Sequence, residues 1–72
     1  MDKYVIQTRE EPTLFVATVT PNGGYLEPNL TNDAADAMEF GTLQDAQAII
    51  NQFLEPANWV GARPPHKPPV HK

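Results

Sequence analysis

Residues 42–56 constrain the fold more than any other part of the chain, because they predict one amphipathic helix together with both of its ends. Thr42 is a good N-cap, and Asp45 puts a carboxylate at the third helical position, close to the unpaired amides of the first turn. Pro56 ends the helix, since the residue before a proline avoids the α region. At about 100° per residue, the apolar side chains fall within an arc of roughly 140°, which is typical of a stripe that faces a core. The stripe consists of Leu43, Ala46, Ile49, Ile50, Phe53 and Leu54.

Two strands are predicted before this helix. Residues 3–8 (KYVIQT) and 13–20 (TLFVATVT) are rich in aromatic and β-branched residues, and the charged segment between them suits a hairpin connection. Residues 21–24 (PNGG) predict a tight turn, because Asn and Gly tolerate the positive φ angles that such turns require.

The remaining segments have weaker patterns. Residues 25–26 begin a returning strand that Pro28 soon interrupts. Residues 31–36 fit a short helical turn capped by Asn32, with an extended segment after it, and this assignment stays open. Residues 58–60 form either a short final strand or a segment that wraps back onto the body.

The predicted fold class is α+β: a small antiparallel sheet of about three strands with one amphipathic helix packed on one face. Seventy-two residues make one small domain, near the lower limit at which a single hydrophobic core sustains a fold. The chain has no cysteine, so disulfides cannot reinforce that core. We assign residues 1–62 to the domain and residues 63–72 to a basic, proline-rich C-terminal tail that we expect to be unstructured.

Both faces of the second predicted strand are apolar, and one helix can cover only one of them. An apolar face left in water usually marks an interface. Residues 59–60 or residues 25–26 could fold over the second face, or a partner could cover it, most simply a second copy of the chain. The alternation of side chains places Leu14 and Val16 on one face, and Phe15, Ala17 and Val19 on the other.

Charge is divided unevenly along the chain. Residues 1–62 hold all nine acidic residues but only Lys3 and Arg9 as cations, a formal charge of −7. Residues 63–72 hold three cations and no acid, a charge of +3. A domain with this much negative charge repels the phosphate backbone of nucleic acid, so we expect no binding to duplex nucleic acid. The same charge suggests an alternative function, an acidic inhibitor that mimics nucleic acid on a host enzyme.

The residue inventory argues against catalysis and metal binding. The chain has no cysteine and no serine, and both histidines, His66 and His71, lie in the tail, where no scaffold holds them in a catalytic geometry. Strong zinc signatures need three or four ligands at fixed spacing, and none is present. We therefore predict no enzymatic activity and no cofactor. No apolar run approaches the roughly 20 residues that span a bilayer, so we expect no membrane association and a cytoplasmic location.

The tail RPPHKPPVHK favours the extended polyproline II conformation, which docks into aromatic-lined grooves at low entropic cost. Pro65 and Pro68 form a bare P-x-x-P spacing, without the flanking positions of the stronger recognition motifs. Three interpretations stay open: the tail is a ligand, a solvated terminus, or a cationic segment resting on the acidic body.

A resemblance adds context to this pattern. An opening strand like YVIQT, a run like LTNDAADAMEF, and a helix that opens with Thr42 and has Ala46 four residues later resemble small proteins common in prophages of Gram-positive bacteria. The likeness covers residues 4–54 and consists of structural positions rather than a functional motif. It implies a cytoplasmic accessory protein of a mobile element that binds a host or phage protein, and no catalytic role for any residue.

We therefore predict a non-enzymatic protein-interaction module. The sequence leaves its partner open, with a second copy of the chain as one candidate. Trp59 is the best single anchor, because aromatic side chains concentrate binding energy; the alternative for it is simple core packing. The candidate contact residues are Leu14, Val16, Trp59, Pro65 and Pro68.

Overall fold

The computed structural model describes residues 3–64, which form a four-stranded antiparallel sheet with one α-helix. The elements are β1 (Val5–Thr8), β2 (Phe15–Asn22), β3 (Tyr25–Thr31), α1 (Leu43–Ile50) and β4 (Trp59–Ala62), with 3₁₀ turns at Ala34–Asp36 and Pro56–Asn58. The strand order in the sheet is β3-β2-β1-β4. This architecture confirms the α+β class but corrects the strand number, because residues 59–62 form a fourth strand on the outer side of β1. Residues 65–72, to which most of the tail prediction applies, lie outside the described residues.

The β2–β3 hairpin turns where the sequence predicts it. Gly23 and Gly24 have φ angles of 60° and 96°, which glycine adopts without strain. The expectation that Pro28 interrupts the returning strand was wrong: β3 continues through it to Thr31, and Pro28 pairs with Val19. An edge strand accommodates a proline where the backbone nitrogen points away from the sheet, because no hydrogen bond to a neighbouring strand is lost there.

Helix α1 begins as predicted but ends earlier. The Thr42 hydroxyl accepts a hydrogen bond from the Asp45 amide at 3.0 Å, so the predicted N-cap is confirmed. The helix was expected to continue to Pro56, but it ends at Ile50, where the Gln52 and Phe53 amides form tighter i→i+3 bonds. The apolar stripe is correspondingly shorter than predicted. Ala46, Ile50 and Phe53 are buried, whereas Leu43 and Leu54 are exposed.

The main core lies between α1 and the sheet. Ile6 from β1 and Val16 from β2 are fully buried against α1 and Phe53. Gly61 lets β4 approach the helix closely, because a Cβ atom at that position would lie 2.8 Å from Leu43 Cδ1. Partly buried side chains surround this cluster: Tyr4, Val19, Leu26, Phe40, Ile49 and Trp59.

The second apolar face of the sheet is covered by the chain itself. Val5 and Phe15 are buried there beneath Ala37, with Ala34 packed beside them. The Asp33 carboxylate accepts a hydrogen bond from the Ala35 amide and so caps the 3₁₀ turn of this cover. Two alternatives drawn from the sequence were therefore wrong, because neither residues 59–60 nor residues 25–26 cover this face. The third alternative, a partner, is not required to bury Val5 and Phe15.

Val19 lies on the opposite face from the one predicted. The β2–β3 register shifts between Val16 and Thr18, which is a β-bulge at Ala17. An extra residue in one strand reverses the alternation beyond it, so Val19 packs with Val16 on the helix side rather than with Phe15.

Candidate functional site

Edge strand β3 approaches the segment that leads into β4, although β3 and β4 lie at opposite ends of the strand order. The Leu26 amide of β3 donates to the Gln52 carbonyl at 2.8 Å, just after α1, and Leu26 and Phe53 form an isolated parallel bridge. Residues of β3, of the segment before β4 and Trp59 at the start of β4 line the same two depressions. We call this region, between β3 and the start of β4, the seam; the chain after α1 only partly fills it.

Trp59, the single tryptophan of the chain, lies at the centre of this seam and lines both depressions. Its ring packs edge-on against Phe53, with ring centroids 5.4 Å apart, which anchors the half-buried indole to the core. Within residues 3–64 the indole N–H donates to no acceptor, and no side-chain nitrogen there is both buried and unsatisfied. The Trp59 N–H is therefore accessible and can donate to a ligand.

The first depression, which we name the acidic groove, has a volume of about 230 Å³. Its lining combines apolar and aromatic surface with Glu27 and Glu55, and the part of the chain that the structure describes contributes no lysine or arginine to it. Leu54 at its rim is 69% exposed, the largest exposed fraction among the large hydrophobic residues of the described chain. The Glu55 carboxylate accepts a 2.7 Å hydrogen bond from Asn58 Nδ2. The remaining walls come mainly from Tyr25, Leu26, Pro28, Phe53 and Trp59.

The second depression, which we name the loop cleft, lies on the other side of Asn58 and Trp59 and measures about 430 Å³. The β1–β2 connection forms one wall and brings Arg9 together with Glu10 and Glu11, so charges of both signs line the cleft. Leu30 supplies exposed apolar surface to it. Thr8 holds the connection in place, because its hydroxyl accepts from the Leu14 amide at 3.0 Å and lies 3.1 Å from the Glu10 carbonyl.

Sequence reasoning overlooked an apolar row on β3 that the alternation of side chains reveals. Leu26 packs on the helix side of the sheet, and the alternation of side chains places Pro28 and Leu30 on the same side. The row was missed because Pro28 was expected to end the strand. Leu54 was missed for a different reason: a longer helix would have turned it into the core.

Of the predicted contact residues that the structure describes, Trp59 lines the two depressions, and Leu14 and Val16 lie elsewhere. Trp59 lines both depressions, as an anchor of an interface would. Val16 is completely buried beneath α1, so it is not available to a partner in this fold. Leu14 is partly buried in the β1–β2 connection and lines neither depression. Pro65 and Pro68 lie outside the described residues.

The charged side chains of the site lie at the surface. These side chains, Arg9, Glu10, Glu11, Glu27 and Glu55, are all exposed. Residues 3–64 contain no group of three or more metal-ligating side chains. Within the same residues, no helix has the length and apolar character needed to cross a bilayer. The seam offers a ligand aromatic contact surface, one indole N–H donor and carboxylates.

Comparison with family models, curated proteins and solved structures finds no match to this chain.

Proposed function

We propose that this protein is a non-enzymatic interaction module that binds an extended segment of a protein partner in the seam between β3 and β4. The observation that carries the proposal is the half-buried Trp59, which lines both depressions and has an accessible indole N–H. Tryptophan anchors of this kind dominate the energetics of many interfaces. The cytoplasmic location and the mobile-element origin predicted from the sequence belong to this proposal.

The distribution of exposed leucines supports the same surface. Three large aliphatic side chains are exposed in residues 3–64, and two of them border the seam: Leu30 in the loop cleft and Leu54 in the acidic groove. Isolated exposed leucines are common, but apolar side chains next to a grooved aromatic centre are typical of a binding surface. The third, Leu43, lies outside both depressions and provides a matched control.

The test uses the full chain as bait in bacterial lysate, with Leu30→Ser/Leu54→Ser compared with Leu43→Ser. We expect the double variant to lose the captured protein and the Leu43 variant to retain it, since only the former removes apolar surface at the seam. Thermal unfolding of each variant controls for folding. Equal retention by the wild type and the double variant would contradict the proposal.

The alternative function, an acidic inhibitor of a nucleic-acid enzyme, is favoured by a different observation. Every acidic residue from Glu10 to Glu55 is exposed, and within residues 3–64 the one ion pair joins Lys3 to Glu39 at 3.1 Å. Charge-driven binding weakens steeply as salt rises, whereas binding through apolar contact does not. A partner that is retained at high salt and lost with Leu30→Ser/Leu54→Ser would exclude this alternative.

A further inference from the structure

We propose that the acidic groove binds the C-terminal segment of a second copy of this chain, with Pro65 and Pro68 of that copy against Trp59. The inference rests on the proposed function, because it uses the same seam, and it names the occupant of one of the two depressions. Three observations carry it: the chemistry of the groove, the charge on each side, and the direction in which β4 leaves Trp59.

The groove has the chemistry that extended proline-rich chains require. Its aromatic walls, Tyr25, Phe53 and Trp59, offer flat surfaces on which proline rings pack. A polyproline II helix repeats every three residues, so prolines spaced as Pro65 and Pro68 are in the sequence would present one ridge when bound in that conformation. The backbone carbonyls of such a helix bond to nothing within it, and the accessible Trp59 N–H can donate to one of them.

Charges on the groove and on the segment are opposite. Glu27 and Glu55 are the charged residues that line the groove within residues 3–64. Residues 63–72 carry Arg63, Lys67 and Lys72 and no acidic residue. No ten-residue stretch within residues 1–62 has a net positive charge.

The direction of the chain requires that the occupant come from a second copy. Strand β4 leads away from Trp59, and Arg63 and Pro64 each precede a proline, which favours extended conformations at both. At about 3.3 Å per residue, Pro65 would lie roughly 20 Å from the Trp59 of its own chain. The three residues from Pro65 to Pro68 span at most about 10 Å, so the two prolines cannot both lie against the indole of their own chain. In a pair of chains, each segment can reach the groove of the other.

A charge-exchange experiment on the full chain tests this arrangement. Sedimentation is measured for the wild type, for Glu27→Lys, for Lys67→Glu, and for an equimolar mixture of the two variants. Both positions are suitable: Glu27 is exposed and makes no side-chain bond within residues 3–64, and Lys67 follows the last strand of the domain in the sequence. Asp36→Lys makes the same change of charge away from the groove and serves as the control.

We expect the wild type to self-associate and each single variant to do so roughly fivefold more weakly, since an attractive pair becomes a repulsive one. The mixture should regain association, because the carboxylate introduced by Lys67→Glu in one chain meets the ammonium group introduced by Glu27→Lys in the other. Asp36→Lys should behave as the wild type.

Three results would each overturn the inference: a monomeric wild type at all concentrations, a mixture no tighter than either variant alone, or an equal loss with Asp36→Lys. None of them affects the proposed function, whose test depends on Leu30 and Leu54 and on a different protein. Conversely, a wild-type chain that self-associates but captures no other protein from lysate would contradict the proposed function and leave this inference standing.

Discussion

At the scale of single residues, Phe53 and Leu54 show how far periodicity predicts burial. Both belong to the apolar stripe expected of a helix that runs to Pro56. The structure buries Phe53 to 4% exposure and leaves Leu54 69% exposed. The difference arises because α1 ends at Ile50 and the following carbonyl, that of Gln52, bonds to Leu26 of β3. A long-range backbone contact decided the outcome, and the local pattern does not encode it.

This difference predicts very unequal costs for two neighbouring truncations. Phe53→Ala should lower the free energy of unfolding by about 3–5 kcal/mol, because it opens a cavity in the core and removes the support of Trp59. Leu54→Ala should change it by less than about 0.5 kcal/mol. Chemical denaturation measures both values. Similar costs at the two positions would mean that the helix continues past Ile50.

Among the secondary-structure elements, those with strong local signals were predicted and those fixed by tertiary contacts were not. Thr42 and the Gly23-Gly24 turn carry their own chemistry, and both occur where the sequence places them. The bulge at Ala17 and the continuation of β3 through Pro28 depend on pairing with a neighbouring strand, which one sequence does not reveal. The apolar row on β3, and with it the candidate site, was therefore hidden at the sequence level.

The cover formed by the 3₁₀ turn and Ala37 is the largest correction at this scale, because none of the three alternatives drawn from the sequence for the second sheet face included it. Backbone bonds hold it on both sides. The Met38 amide donates to the Val16 carbonyl at 2.9 Å, and Tyr4 and Phe40 exchange two bonds of 2.9 and 2.8 Å. Residues 38–40 thus reach both β1 and β2, which pair directly at Gln7 and Phe15.

A charge introduced into this cover should unfold the domain, and the same charge two residues away should not. Ala37 is buried against Val5 and Phe15, so Ala37→Asp should cost roughly 3 kcal/mol or more. Ala35 is exposed, and Ala35→Asp should be nearly neutral. Thermal unfolding followed by circular dichroism compares the two variants. A harmless Ala37→Asp would show that this face is open to solvent or to a partner.

At the scale of the whole molecule, the seam and the charge division belong together. Residues of β3 and Trp59 of β4 line the same groove, and its charged residues within the described chain are Glu27 and Glu55. Three of the five cationic residues lie in the last ten positions of the sequence. Composition predicted this charge division, whereas the seam required the structure, since only the folded chain brings Trp59 beside β3.

The most direct measurement of the central claim is a fluorescence titration of Trp59 with a peptide of residues 63–72. The receiving protein is the full-length Lys67→Glu variant, so that its own segment competes poorly, and the single tryptophan makes the signal specific to the seam. We predict a saturable change in emission that weakens as salt is raised from about 0.1 M to about 1 M. A peptide with alanine in place of Pro65 and Pro68 should bind more weakly. An emission spectrum that stays unchanged up to the solubility limit of the peptide would contradict the account.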